Sequence, residues 1–228
     1  MRAASYDFIT IFFLIWVLLY LPMMAWFAYR RLEHGRPLPP KLDRLRLGIL
    51  FTIFSTVFAL AAADSTHIQL SFKLSTLDLS CSAVLSTLVI LSASQRKEKV
   101  DESHLGRIRL LYAPTSAIEW RWALLAGFCA GVGEEIVYRG VLYQLLGRLT
   151  SSGSLAVLIC VFIFAASHLP QGKRGVFGVA SLGLVFHLLY FWSCSLAMPM
   201  IVHAAYDVTI FTVMYRRERR LAVAQVTV

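Results

Sequence analysis

Residues 118–146 read IEWRWALLAGFCAGVGEEIVYRGVLYQLL, an apolar stretch of membrane-spanning length that carries charged residues in its second half. A helix that crosses a bilayer needs about 20 mostly apolar residues. An ionised group at the centre of such a helix costs about 2.5–3.5 kcal/mol on insertion scales. Glu134, Glu135 and Arg139 nevertheless lie together in this stretch. Charged residues in a membrane span mark a functional site, so we expect a fold that buries them against other helices.

Six further apolar runs lie on either side of this stretch, and short connectors, several of them basic, separate them. The chain is 58% hydrophobic and only 15% charged, whereas a soluble domain has about 25% charged residues. No run alternates in the way that barrel strands do. The sequence therefore predicts an all-α, polytopic transmembrane helix bundle of about seven spans. The approximate spans are Tyr6–Tyr29, Leu47–Ala63, Thr76–Ala93, Ile118–Leu146, Ser154–His168, Gly175–Trp192 and Leu196–Tyr215.

These spans divide the chain into three regions. Residues 1–117 are predicted to form an N-terminal transmembrane region of three spans and an interfacial segment. Residues 118–215 hold the last four spans and the charged residues, so we predict that they form the catalytic core. Residues 216–228 form a basic tail.

The net charge of +9 is carried by basic residues that flank the apolar runs, which argues against a nucleic-acid-binding protein. Seventeen of the 22 Lys and Arg residues fall in alternate connectors and the tail, on one side of a seven-span bundle. The positive-inside rule makes that side cytoplasmic. We therefore predict a multi-pass integral membrane protein with the lipid bilayer as its surroundings, and we expect a bacterial inner or cell membrane.

Apart from Glu119 and Arg121 near the start of the fourth span, three of the last four predicted spans contain six charged or histidine residues: Glu134, Glu135, Arg139, His168, His203 and Asp207. Glu135 and Arg139 are four residues apart, so they share a helix face and can form an ion pair. His203 and Asp207 have the same spacing, which places an imidazole next to a carboxyl group. Glu134 has no local partner of this kind, and a free carboxylate in a buried site is a candidate general base.

The motifs, in chain order, are Glu134-Glu135-x-x-x-Arg139, Phe164-x-x-x-His168 and His203-x-x-x-Asp207, each on its own apolar segment. This set resembles the CPBP family of intramembrane glutamic peptidases, which comprises CAAX-processing and bacteriocin-processing enzymes and is also called the Abi family. Each motif is weak alone, whereas the three together are specific. The resemblance implies a membrane-embedded endopeptidase that cleaves a membrane-associated protein or peptide.

The catalytic residues that the resemblance implies are Glu134, His168, His203 and Asp207, and the supporting residues are Glu135 and Arg139. The first two would activate the attacking water, and the next two would stabilise the oxyanion of the tetrahedral intermediate. Asp207 stands where the family often has Asn, and an ionised carboxylate cannot donate a hydrogen bond to an oxyanion. It would therefore be protonated, or it would orient His203. No cofactor is implied.

The sequence leaves three alternatives open. Glu134, His168 and His203 could bind zinc around an activated water, although the chain has no His-Glu-x-x-His motif. A non-proteolytic member of the same fold could act as an immunity or maturation partner. A proton-coupled transporter is the third alternative, but no repeated halves are visible. His187 matches none of the motifs and is interpreted as a packing or channel-lining residue.

Overall fold

The computed structural model describes residues 7–95 and 102–226, and this part of the chain forms eight helices and no strand. The helices are α1 (Phe8–Glu33), α2 (Lys41–Ser65), α3 (Thr76–Gln95), α4 (Glu102–Tyr112), α5 (117–150), α6 (Gly153–Ala166), α7 (Gly172–Ser193) and α8 (Ala197–Val226). Helix α5 has two α-helical parts, Ala117–Glu135 and Tyr143–Thr150, joined by a π-helical segment over Ile136–Leu142. The predicted all-α bundle is confirmed.

Each of the seven predicted apolar segments lies largely or wholly in a separate helix. Helix α4 is the eighth and corresponds to none of these segments. Four helical stretches are long and apolar enough to cross a membrane: Phe8–Glu33, Lys41–Ser65, Leu169–Ser193 and Ala197–Ala224. Two helical stretches are apolar but shorter: Thr76–Leu88, which belongs to α3, and Gly153–Ala166, which is α6. This arrangement is that of an integral membrane protein.

The basic residues at the end of the chain continue the last helix. Helix α8 has 30 residues and ends at Val226, so no break in secondary structure separates residues 216–226 from the preceding span. At 1.5 Å per residue the helix is about 45 Å long, which exceeds the thickness of about 30 Å of a hydrocarbon core. The excess length extends the basic end of α8 beyond the apolar region.

The end of α1, the start of α2, α4 with the residue after it, and the basic end of α8 meet on one side of the bundle. The contacts that join them are Lys41 Nζ to Ala113 O (2.6 Å), Arg44 Nη2 to Leu110 O (2.8 Å), Arg109 Nε to Glu218 Oε1 (2.6 Å) and an Arg107–Glu33 ion pair. Basic residues of α2 and α4 and the basic end of α8 thus lie on the same side.

Helix α5 packs closely against helices on two sides because it has glycines where they touch. A Cβ atom on Gly131 would lie 2.5 Å from the backbone nitrogen of Ala204 in α8. A Cβ atom on Gly133 would lie 2.5 Å from the hydroxyl oxygen of Thr56 in α2. Small residues at such crossings let the backbones of membrane helices approach closely. The charged residues after Gly133 are consequently held at short range from α8.

We predict that Gly131→Ala disrupts this approach, because its new methyl group meets backbone rather than a flexible side chain. Overpacking of this kind costs about 1–3 kcal/mol, so the thermal midpoint in detergent should fall. Gly147→Ala is the matched control, since a Cβ atom there meets nothing within 4 Å. The control should be neutral or stabilise α5 by about 0.5–1 kcal/mol. Equal midpoints for the two variants would contradict the assigned packing.

Candidate active site

The structure brings five of the six predicted site residues into one connected cluster and places the sixth beside it. Helix α5 supplies Glu134, Glu135 and Arg139, helix α8 supplies His203 and Asp207, and His168 follows the end of α6. The imidazole of His203 lies at the centre. Its Nδ1 is 2.8 Å from Oε1 of Glu135, and its Nε2 is 3.9 Å from Glu134 Oε2 and 3.8 Å from Asp207 Oδ2.

The ion pair that the spacing predicts between Glu135 and Arg139 is present, and both side chains have zero solvent exposure. Arg139 Nη1 donates to Oε1 of Glu135 at 3.0 Å. The same oxygen accepts the hydrogen bond from Nδ1 of His203. Glu135 therefore connects the arginine of its own helix to the histidine of α8, a contact that the motifs did not predict.

The two neighbouring glutamates have different surroundings. The Glu135 side chain is fully buried, whereas that of Glu134 is 24% exposed and that of Asp207 is 25% exposed. The exposed pair lies on the Nε2 side of His203, and the buried carboxylate lies on its Nδ1 side. A water or substrate group can thus reach Glu134 and Nε2 of His203 from one side, while the other side of the imidazole is closed.

Arg139 is surrounded by partners from two further helices. Its Nη2 donates to the carbonyl oxygen of Gly183 at 2.9 Å, and its Nε lies 3.3 Å from Nδ1 of His187. Its guanidinium stands over the rings of Phe164 at 5.0 Å and Phe186 at 5.4 Å. Cation–π contacts of this kind are strongest when they are desolvated. These contacts together fix the guanidinium in a site without solvent.

Helix α7 thus contributes to the site although it carries none of the three motifs. Phe186 also stacks on the imidazole of His203, with ring centroids 4.6 Å apart and an interplanar angle of 20°. His187 is fully buried beside Arg139. The sequence signal for α7 was His187, an ionisable residue in an apolar span. No local rule predicts from sequence spacing that this residue would lie beside the motif residues.

His168 lies two residues beyond the end of α6, with its imidazole beside the ring of Phe164. Its Nδ1 is 2.8 Å from the carbonyl oxygen of Phe164. Because a carbonyl oxygen can only accept, Nδ1 donates to it, and in the neutral form of the ring the lone pair is on Nε2. Within residues 7–95 and 102–226, no carboxylate oxygen lies within 4.0 Å of His168, so its partnership with Glu134 is not a direct contact here.

The short helix α6 places His168 at the depth of Glu134. Glu134 lies 16 residues before Thr150, the end of α5, which corresponds to about 24 Å along the helix. His168 lies 15 residues after Gly153, the start of α6, which corresponds to about 22 Å in the opposite direction. The two side chains are therefore nearly level, and the chain turns into α7 at that depth.

The π-helical segment Ile136–Leu142 follows directly after the two glutamates and is buried throughout. It includes Arg139, so the arginine of the first motif lies on a widened turn. Short π-helical segments inside α-helices occur frequently at functional sites. Hydrophobic periodicity did not predict this segment.

Comparison with known proteins relates part of the chain to a family. Residues 116–209 match the family model for type II CAAX prenyl endopeptidase Rce1-like proteins. The matched segment begins at the N-cap of α5, ends within α8 and includes all three motifs. No curated protein and no solved structure matches the chain significantly. The family match confirms the resemblance to CAAX-processing enzymes and supports a membrane endopeptidase of the CAAX type.

We predict that Glu135→Gln destabilises the protein because it leaves the buried Arg139 cation without a counter-charge. Removal of one partner of a buried ion pair costs about 3–5 kcal/mol, which a denaturation curve in detergent would measure. Glu218→Gln is the matched control, because it removes the partner of Arg109, whose side chain is 44% exposed. That change should cost less than about 1 kcal/mol. A Glu135→Gln variant as stable as the control would contradict the role of Glu135.

Proposed function

We propose that this chain, whose residues 116–209 match the type II CAAX prenyl endopeptidase Rce1-like family, hydrolyses a peptide bond of a membrane-associated protein or peptide. In this proposal a water molecule attacks the scissile carbonyl carbon, and Glu134 and His168 activate that water. The observation that carries the proposal is the position of His203. Its Nδ1 is held by the buried Glu135, and its Nε2 lies 3.9 Å from Glu134 and is directed away from that anchor.

Glu134 and His168 are suited to accept protons from the water. The Glu134 carboxylate is partly exposed and can therefore contact water. Nδ1 of His168 donates to the Phe164 carbonyl oxygen, so in the neutral ring the lone pair is on Nε2. Two acceptors at similar depth can hold the two hydrogens of one water molecule and direct its oxygen lone pair at the carbonyl carbon. Glu134 takes the proton as general base, as carboxylates do in many hydrolases.

His203 is suited to stabilise the oxyanion. The Glu135 carboxylate at Nδ1 favours the charged imidazolium, in which Nε2 also carries a proton. Nε2 is 3.9 Å from Glu134 and 3.8 Å from Asp207, which is beyond hydrogen-bond distance, so its N–H is available to a third group. A donor fixed before the reaction at the site of developing charge is an effective catalytic device.

Asp207 fits a supporting role in this arrangement. Its carboxylate faces Nε2 of His203 from the next turn of the same helix. A negative charge at this distance stabilises the imidazolium through space, in the way that a carboxylate supports the histidine of a catalytic triad. An ionised Asp207 would not donate to the oxyanion itself. Of the two alternatives that the sequence left open for Asp207, this assignment is closer to the second, in which Asp207 acts through His203.

The reaction is complete when the tetrahedral intermediate collapses. The bond between the carbonyl carbon and the water oxygen has formed, and the bond to the peptide nitrogen breaks. Glu134 returns its proton to the leaving amine, so the enzyme regains its starting protonation state. The products are an amine and a carboxylic acid, which keeps the second hydrogen of the water until it ionises to the carboxylate, and no covalent intermediate with the enzyme is formed.

We expect Glu134→Gln and His168→Ala to lower cleavage of a prenylated CAAX peptide at least about 100-fold, the lower range for loss of a general base. Both variants should keep the thermal midpoint of the wild type, since these side chains are partly exposed. Glu119→Gln is the control on the same helix, because Glu119 binds Thr115 at the start of α5, away from the site. Wild-type activity in Glu134→Gln would rule out the proposed base.

We also expect activity to survive removal of metal ions, because the proposed mechanism activates water with protein groups alone. Zinc sites place nitrogen and oxygen ligands about 2.0–2.2 Å from the ion. Among the described residues, no three or more His, Cys, Asp or Glu side chains are grouped so that they could hold a metal ion. The measurement is the cleavage rate after treatment with a chelator, together with metal analysis of the purified protein. Activity lost to the chelator and restored by zinc would favour the metal-dependent alternative.

A further inference from the structure

His187 on α7 is a third histidine at the site, beside His168 and His203, and none of the three motifs includes it. Its side chain has zero solvent exposure. Its Nδ1 lies 3.3 Å from Nε of Arg139 and 3.0 Å from the carbonyl oxygen of Gly183. One nitrogen cannot donate to the carbonyl and accept from the guanidinium at the same time, so the protonation of Nδ1 decides what His187 does.

The surroundings favour Nδ1 as the acceptor. The Gly183 carbonyl already accepts from Nη2 of Arg139 at 2.9 Å. It is also the helical i−4 partner of the backbone N–H of His187, so both of its lone pairs are used. Arginine has only donors, and donation from its Nε requires a lone pair on the opposing nitrogen. In this tautomer His187 is neutral and its proton is on Nε2, which is buried and has no hydrogen-bond partner among the described residues.

We infer that His187 is a positioning residue for the reaction, acting through Arg139 and Glu135 on His203. This inference rests on the proposed function, in which His203 stabilises the oxyanion. The contacts run from His187 Nδ1 to Arg139 Nε (3.3 Å), from Arg139 Nη1 to Glu135 Oε1 (3.0 Å) and from that oxygen to His203 Nδ1 (2.8 Å).

The geometry of the guanidinium explains why a third contact is needed. The rings of Phe164 and Phe186 stand at 5.0 and 5.4 Å from the guanidinium carbon and limit its movement toward them. They do not prevent rotation of the group within its own plane, because a ring face presents no directional acceptor. Hydrogen bonds at Nη1, Nη2 and Nε fix that rotation, and each has a different partner. Loss of the contact at Nε leaves two of these three bonds, so the direction of Nη1 toward Glu135 is held less tightly.

The experiment compares His187→Leu with His187→Asn in the cleavage of a prenylated CAAX peptide, with Glu134→Gln measured in parallel. Leucine removes the acceptor, whereas the side-chain oxygen of Asn replaces Nδ1 at nearly the same position. We expect His187→Leu to lower kcat by about 10- to 100-fold with KM changed less than about twofold, as for a reacting group displaced by about 1 Å. His187→Asn should recover most of kcat.

A kcat for His187→Leu equal to that of the wild type would overturn the inference. So would equal impairment of the Leu and Asn variants, because that result would assign His187 a role in packing alone. If His187→Leu does not fold, as its thermal midpoint would show, His187→Gln replaces it, since its oxygen reaches the position of Nε2 and not that of Nδ1. An active Asn variant with an impaired Gln variant supports the inference, and equal activities overturn it. Full activity in Glu134→Gln would instead overturn the proposed function.

Discussion

One carboxylate oxygen, Oε1 of Glu135, accepts hydrogen bonds from Arg139 and His203 at a point without solvent exposure. A buried charge of this kind is costly unless it is paired and hydrogen-bonded, so the surrounding helices have to keep both donors in place. The pairing joins α5 to α8 and, through the other nitrogens of Arg139, to α7. The alignment of the candidate site and the stability of the bundle therefore depend on the same interaction.

The packing of the bundle provides the conditions for this interaction. Gly131 allows the backbones of α5 and α8 to approach at Ala204, the residue after His203. Gly183 performs a similar function in α7, where a Cβ atom would lie 3.2 Å from the ring of Phe164. The aromatic rings that fill the remaining space exclude water, and a low local dielectric strengthens each charged hydrogen bond. The candidate site remains accessible on the opposite side of His203, where Glu134 and Asp207 are partly exposed.

The sequence predicted the features that depend on local periodicity. Apolar run length located the helices, and the i,i+4 rule predicted that Glu135 would pair with Arg139 and that His203 would lie beside Asp207. The contact between Glu135 and His203 joins residues 68 positions apart. It depends on the crossing of α5 and α8, for which no local rule exists. The contribution of His187 was not predicted for the same reason, because only the packing of α7 against α5 brings it to Arg139.

The central claim is that Glu134 activates a water molecule and does not itself attack the substrate. A single turnover in water enriched in oxygen-18, followed by mass spectrometry of the product and of the digested enzyme, tests this claim most directly. Attack by water predicts one oxygen-18 atom in the new carboxylate of the product and none in the enzyme fragment that contains Glu134. Oxygen-18 in the Glu134 fragment, with an unlabelled product, would show that the carboxylate had formed a bond to the substrate and would contradict the mechanism.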